Sequence, residues 1–123
     1  MSSEDLHVPR EVLTQEGRLL HYAITSLKEE LDAVDWYRQR ADDTEDEQLR
    51  EILLHNMREE MEHAAMVLEW LRRHEPAWDE RLRKVLFTQK PLGPGLDAPE
   101  EKRGPAAPSG QGLGVGSLRK VAP

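Results

Sequence analysis

Apolar residues recur every three to four positions along two long stretches of the chain, which is the spacing of one helix face. The first stretch runs to about Ala41, and Thr14 stands at its start as an N-cap, followed by Gln15 and Glu16. The positions that form its apolar stripe are Leu20, Ala23/Ile24, Leu27, Leu31, Val34 and Tyr37/Arg38. The pattern therefore predicts a first long amphipathic helix.

The second stretch runs from about Glu45 to His74 and follows an acidic turn, Asp42–Asp46, that also caps it. The residues along its seam are Leu49, Ile52/Leu53, Asn56, Met57, Ala64, Val67/Leu68 and Leu71. Glu75-Pro76 ends this helix, because the residue before a proline is disfavoured in helical backbone. A short third helix is predicted from Pro76 to about Phe87. The sequence thus predicts an all-α antiparallel two-helix hairpin plus a short C-terminal helix.

Composition changes at Pro91, which divides the chain into a helical domain and a tail. Residues 1–13 form a polar lead-in and residues 14–90 the domain, whereas 10 of the 22 residues from 91 to 112 are proline or glycine. Such a segment is expected to be a disordered linker. Residues 113–120 then form a short apolar island before the last three residues, 121–123. An island of this kind at the end of a tether predicts a docking peptide.

Charge and composition narrow the classes of partner. The chain has 123 residues, of which 37% are hydrophobic and 33% charged, so a two-helix domain must complete its core with a partner. Its net charge of −7 argues against nucleic-acid binding, whose affinity rests on basic contacts to phosphate, and suits cations.

Cysteine and long apolar segments are both lacking in this sequence. The absence of cysteine excludes thiolate metal sites and disulfides, and it fits a cytoplasmic protein. No stretch has the length of a signal peptide's apolar region or of a membrane span. We therefore expect no membrane association.

One Glu-x-x-His motif, Glu60 to His63, stands on the seam of the second helix, and Glu30 stands on the seam of the first. Glu30 and Glu60 are both 15 residues from residue 45, at the centre of the turn. In an antiparallel hairpin the two carboxylates are therefore level, roughly 22 Å from the turn. His63 lies one turn along the same face and reaches the same cation.

This set of residue types suits iron, which is bound by carboxylate oxygen together with imidazole nitrogen. Di-iron bundles use two Glu-x-x-His helices plus one glutamate from each of two further helices. The chain carries half of that set, so two copies are needed for one site. A Glu-x-x-His motif also arises by chance in acidic helices, and Glu59, Glu62 and His55 are more simply surface or interface residues.

Three runs of sequence resemble the encapsulated ferritins. Ser26–Asp42 is similar to their first helix, His55–Trp70 to their second, and Leu86–Pro91 to the end of their folded domain. The resemblance covers nearly all of residues 5–91. It implies a ferritin-like four-helix bundle built from two chains, a decameric ring of five such dimers, and a ferroxidase centre with two irons per dimer.

The resemblance also implies roles for individual residues. Glu30, Glu60 and His63 from each of two chains would be the iron ligands, with Glu60 bridging, while Tyr37 and Trp36 line the site. Tyr37 is otherwise a packing residue. Acids at the mouth of such sites attract Fe(II). Glu29 matches one of them, whereas Asp32 stands where a glutamate is usual.

The tail resembles the cargo-loading peptide that docks inside an encapsulin shell. The residues expected to bind the shell protein are Leu113, Val115, Gly116, Ser117, Leu118 and Arg119. The expected function is then oxidation of Fe(II) to Fe(III) by oxygen, feeding mineralisation inside a cytoplasmic encapsulin nanocompartment.

Two alternatives stay open on the sequence. One is a metal-independent helical cargo or scaffold protein of the shell, whose seam acids pair with Arg58 or Arg38. The other is a di-iron enzyme acting on an organic substrate or peroxide. That enzyme would need an apolar pocket beside the metals, and the sequence shows no sign of one.

Overall fold

The computed structural model describes residues 6–97. In chain order it contains a short 3-10 helix (Arg10–Val12), α1 (Gln15–Asp43), α2 (Glu47–His74), α3 (Pro76–Val85) and a second 3-10 helix (Pro94–Asp97). All regular structure in this range is helical, which confirms the predicted all-α class. The docking peptide at 113–120 and most of the linker lie outside the described residues.

The N-terminal ends of α1 and α2 are set by side-chain caps. Thr14 Oγ1 accepts a hydrogen bond from the Gly17 N–H at 2.9 Å, as predicted for the N-cap of α1. Asp46 Oδ1 accepts one from the Leu49 N–H at 2.8 Å, so α2 begins at Glu47 and not at Glu45. Helix α1 continues to Asp43, two residues beyond the predicted end.

Arg50 closes the three-residue loop between the two long helices. Its Nε donates to the Ala41 carbonyl oxygen at 3.0 Å, and its guanidinium also bonds the Thr44 carbonyl and the Glu47 carboxylate. Carbonyl groups at the end of a helix lack partners within that helix. Arg50, on α2, supplies those partners for α1 and ties the two helices together.

The core between α1 and α2 is small. Ala41, Leu53, Leu54 and Met57 form one buried cluster, against which Val34, Tyr37 and Met61 pack. Ala64 and Leu71 are buried further along α2. Burial of a leucine or methionine side chain stabilises a fold by about 1.5–3 kcal/mol, so this hairpin has few such contributions for its length.

Several seam residues remain exposed. The exposed fraction is 56% for Leu31, 52% for Ile52 and 45% for Leu49, so these seam residues are not covered within a single chain. Two packed helices bury only one narrow stripe each, and the predicted stripes are wider. The hairpin therefore presents unburied apolar surface beside its core.

The chain divides into two compact units within α3. The boundary between two compact units falls after Asp79, and both long helices belong to the first. Helix α3 ends at Val85, two residues before the predicted end, because Phe87 adopts a positive φ of 61° that stops a helix. The 3-10 helix Pro94–Asp97 lies inside the segment predicted as linker.

The N-terminal 3-10 helix is tied to α1 by two arginines. Arg10 donates to the Tyr22 hydroxyl at 2.9 Å, and Arg18 donates to the Arg10 carbonyl at 3.0 Å. In residues 6–97, no helix combines the length and apolarity that a membrane crossing requires.

Candidate metal centre

Three ligand-type side chains converge near the middle of the hairpin. Glu30 comes from α1, and Glu60 and His63 come from successive turns of one face of α2. One oxygen or nitrogen of each lies within 4.8 Å of the others. Their side chains are 26%, 22% and 42% exposed, respectively, so the cluster opens to solvent on one side.

The spacing of these atoms fits a shared cation. His63 Nδ1 lies 3.4 Å from Glu60 Oε2 and 3.7 Å from Glu30 Oε2. Both distances exceed the usual length of a hydrogen bond. Ligand atoms about 2.0–2.2 Å from one transition-metal ion lie roughly 3 Å apart, so small side-chain movements would bring all three onto an ion.

The protonation of Glu30 points the same way. A side-chain hydrogen bond with Glu60 raises the pKa of Glu30, and burial and the negative charge of Glu60 add to the rise, whereas His63 opposes it. Two carboxylates that share a hydrogen bond need a proton between them when no cation is present. A bound cation would replace that proton, so the donor set suits a metal ion.

The structure leaves the other predicted site residues outside this cluster. Glu29 and Asp32 are exposed on α1. His55 lies 3.7 Å from Glu59, at a different position on α2. Within the described part of the chain, Glu30, Glu60 and His63 are the one group of three or more acids and histidines arranged to hold a metal.

The two aromatic residues differ in their surroundings. Tyr37 packs against the buried cluster, and the Arg40 guanidinium lies 5.7 Å from the centre of its ring. Trp36 is 52% exposed. Packing is thus the contact that the structure shows for Tyr37.

An apolar groove that the sequence did not reveal begins one helical turn from the ligands. It has a volume of about 390 Å³ and is lined by Leu19, Tyr22, Ala23, Ser26, Met66, Val67 and Trp70. Ser26 precedes Glu30 by four residues, and Val67 follows His63 by four. The sequence analysis found no sign of an apolar pocket beside the site, and the structure shows this one. The sequence signal that could have revealed this groove was helical spacing. Leu19 and Tyr22 are three residues apart on α1, and Met66 and Trp70 are four residues apart on α2.

The fold has counterparts among known proteins. The model of a family described as EncFtn-like matches residues 5–89. The crystal structure of protein ne0167 from Nitrosomonas europaea is 52% identical, with a TM-score of 0.68, and the match covers 71% of this chain and 96% of that one.

Two proteins are similar over almost their whole length. A "Ferritin-like protein" from Thermotoga maritima is 49% identical over 116 residues, which covers 94% of this chain and 99% of the relative. An "Encapsulated ferritin-like protein" from Rhodospirillum rubrum is 47% identical over 129 residues, covering 96% and 90%. Both matches cover more of the chain than residues 6–97 alone supply.

Proposed function

Because this chain belongs to the EncFtn-like family, we propose that it is a ferroxidase that oxidises Fe(II) to Fe(III) with oxygen at a centre shared by two copies. The observation that carries the proposal is the convergence of Glu30, Glu60 and His63. These residues form half of the ligand set of a di-iron bundle. A second copy would supply the other half, for two irons per dimer.

The side chains have distinct parts in this proposal. Glu30 and Glu60 would hold the metal through carboxylate oxygen, and Glu60 Oε2, which lies 3.4 Å from His63 Nδ1, would share a cation with that imidazole. His63 binds through neutral imidazole nitrogen. Bound iron supplies the redox chemistry, in which each Fe(II) gives one electron to oxygen.

Residues around the centre have supporting parts. Glu29 and Asp32 are exposed acids on the helix that carries Glu30, and we assign them the attraction of Fe(II) towards the site. Tyr37 is assigned to the wall of the site. Its contact with the buried cluster holds its ring in place from behind.

The tail connects the enzyme to its compartment. A relative is named as an encapsulated ferritin-like protein, and its similarity extends past the described domain into the tail. We assign Leu113, Val115, Gly116, Ser117, Leu118 and Arg119 to the docking of an encapsulin shell protein. Mineral would then accumulate within the shell, in the cytoplasm, while dimers assemble into a ring of ten chains.

The test is Fe(II) oxidation in air by a His63→Ala variant beside a His21→Ala control. His21 lies nine residues before Glu30 on α1, away from the ligand cluster. Loss of fast oxidation in the first variant alone supports the site. Equal fast rates would remove His63 from the site, and equal slow rates would favour the metal-independent scaffold, whose assembly is indifferent to chelators.

A further inference from the structure

Two leucines stand out in the part of the chain, rich in proline and glycine, that follows α3. Leu92 and Leu96 are the only large apolar residues among residues 91–112 of the sequence. Leu92 is 71% exposed, so the described part of the chain does not bury its side chain. Single exposed leucines are common on protein surfaces. What distinguishes these two is the order of the residues around them.

That order repeats the order of residues in the docking peptide. Residues 92–96 read Leu-Gly-Pro-Gly-Leu, and residues 113–118 read Leu-Gly-Val-Gly-Ser-Leu. Both segments have a leucine at each end and two glycines on either side of one apolar residue. The first segment has no counterpart of Ser117, and its last leucine is followed by Asp97, where the docking peptide has Arg119. The sequence thus contains this pattern twice, and the copy nearer to α3 is the less complete.

The structure describes the first copy and places it on the surface. Gly93 has a positive φ of 99°, and the Leu96 N–H donates to the Gly93 carbonyl at 3.0 Å within the turn that follows. The positive φ explains the glycine at position 93. A Cβ added to Gly95 would meet no other part of the described chain within 4 Å. Close approach of a partner's backbone is a second use of glycine, and it is open at this position.

We propose that residues 92–96 are a second, weaker docking segment for the encapsulin shell protein. Leu92 and Leu96 fill apolar pockets on that protein, and Gly95 lets the backbone lie against it. The inference rests on the proposed function, because it assumes that the docking peptide binds the shell. Because the segment is shorter and lacks a basic residue after its last leucine, it supports the docking peptide and does not replace it.

The second contact shortens the tether between the helical domain and the shell. Leu113 is 28 residues past Val85, the end of α3. A fully extended chain advances at most about 3.6 Å per residue, so the docking peptide alone allows a separation of up to about 100 Å. Leu92 is seven residues past Val85, which lowers this limit to about 25 Å. Docking of the tail also raises the effective concentration of the weaker segment at the shell.

Amide hydrogen exchange tests the proposal on the full-length native chain, both free and loaded in a co-expressed encapsulin shell. If the effective concentration is about ten times the dissociation constant of the segment, exchange at residues 91–97 should be about tenfold slower in the loaded chain. Residues 113–118 should also be protected. Residues 99–111, which lie between the two segments, are the internal control and should exchange equally in both states. Residues 91–97 that change no more than this control would overturn the proposal.

A matched pair of variants tests whether the two segments bind together. Both variants keep the docking peptide and are therefore loaded. In the chain with Leu92→Ser and Leu96→Ser, protection of residues 113–118 should fall by about tenfold, because the linked second contact is lost. The chain with Ala106→Ser and Ala107→Ser should keep the native protection. Equal protection of residues 113–118 in the two variants would contradict the second docking segment.

The outcome is separable from that of the proposed function. Loading that is lost on deletion of residues 113–123, together with unprotected residues 91–97 in the loaded native chain, would refute the second segment alone. Loading that survives the deletion would refute the docking role of the tail. Fe(II) oxidation by the free chain uses neither segment, so failure of the ferroxidase would be seen independently of both.

Discussion

At the scale of single residues, Glu30 and Glu60 form a carboxylate pair that destabilises the metal-free fold. Their shared hydrogen bond and partial burial raise the pKa of Glu30 above its ordinary value of 4.5. A carboxyl with a raised folded-state pKa contributes stability below its unfolded pKa, and that contribution is lost as pH rises through the folded pKa. The pair should therefore weaken the metal-free fold at neutral pH.

A Glu30→Gln variant should consequently be more stable than the native chain in chelator at pH 7, because the amide ends the carboxylate repulsion. The difference should vanish below about pH 4.5 and grow as pH rises. Melting temperatures at several pH values measure it, with Glu29→Gln as the exposed neighbouring control. Equal effects of the two substitutions would show that the carboxylate pair carries no strain.

The sequence was sufficient to bring Glu30, Glu60 and His63 together. Their positions follow from helix periodicity and from equal distance to the turn, both of which are local properties of the chain. The contact between Tyr37 and the buried cluster could not be read in this way. It depends on which part of the wide apolar stripe of α1 lies against α2, and the packing of the two helices decides that.

At the scale of elements, the register of α1 and α2 is held by the turn between them. Caps and proline predicted the helix starts to within two residues, because those signals are local. No local sequence signal predicted the role of Arg50. Its hydrogen bonds to the Ala41 and Thr44 carbonyls join residues that share no helix face and come close only in the folded turn.

Arg50→Ala should lower the free energy of unfolding by about 1–3 kcal/mol, because hydrogen bonds from a charged donor are lost and a helix end is left without partners. Urea unfolding should show this loss as a lower midpoint concentration, while the dependence of the free energy of unfolding on urea stays unchanged. Glu51→Ala, at the exposed neighbouring position, should stay within about 0.5 kcal/mol. A similar midpoint for both variants would contradict the role of Arg50.

At the scale of the whole molecule, the hairpin leaves exposed several apolar residues of the two predicted helix seams. Leu31, Leu49 and Ile52 are apolar at seam positions and exposed in one chain. Periodicity indicates that a residue lies on an apolar helix face, but it does not show whether the surface that buries it belongs to the same chain. The sequence therefore predicted the helices well, but it could not tell which seam residues a single hairpin buries.

Deletion of residues 113–123 should leave Fe(II) oxidation intact and prevent co-purification with a co-expressed encapsulin shell protein. The reason is that oxidation is assigned to residues of the helical domain and docking to the tail. Gln111→Ala, just outside the docking peptide, is the control and should still co-purify. Retained loading after the deletion would remove the docking role from the tail.

The most direct test of the central claim is the rate of Fe(II) oxidation by the purified native chain in air, followed by ferric absorbance, beside Glu60→Ala. The account predicts fast oxidation by the native chain and, in the variant, only the slow rate of Fe(II) without protein. Equal and slow curves for both proteins would contradict it. Glu30, Glu60 and His63 would then be structural residues of a helical scaffold.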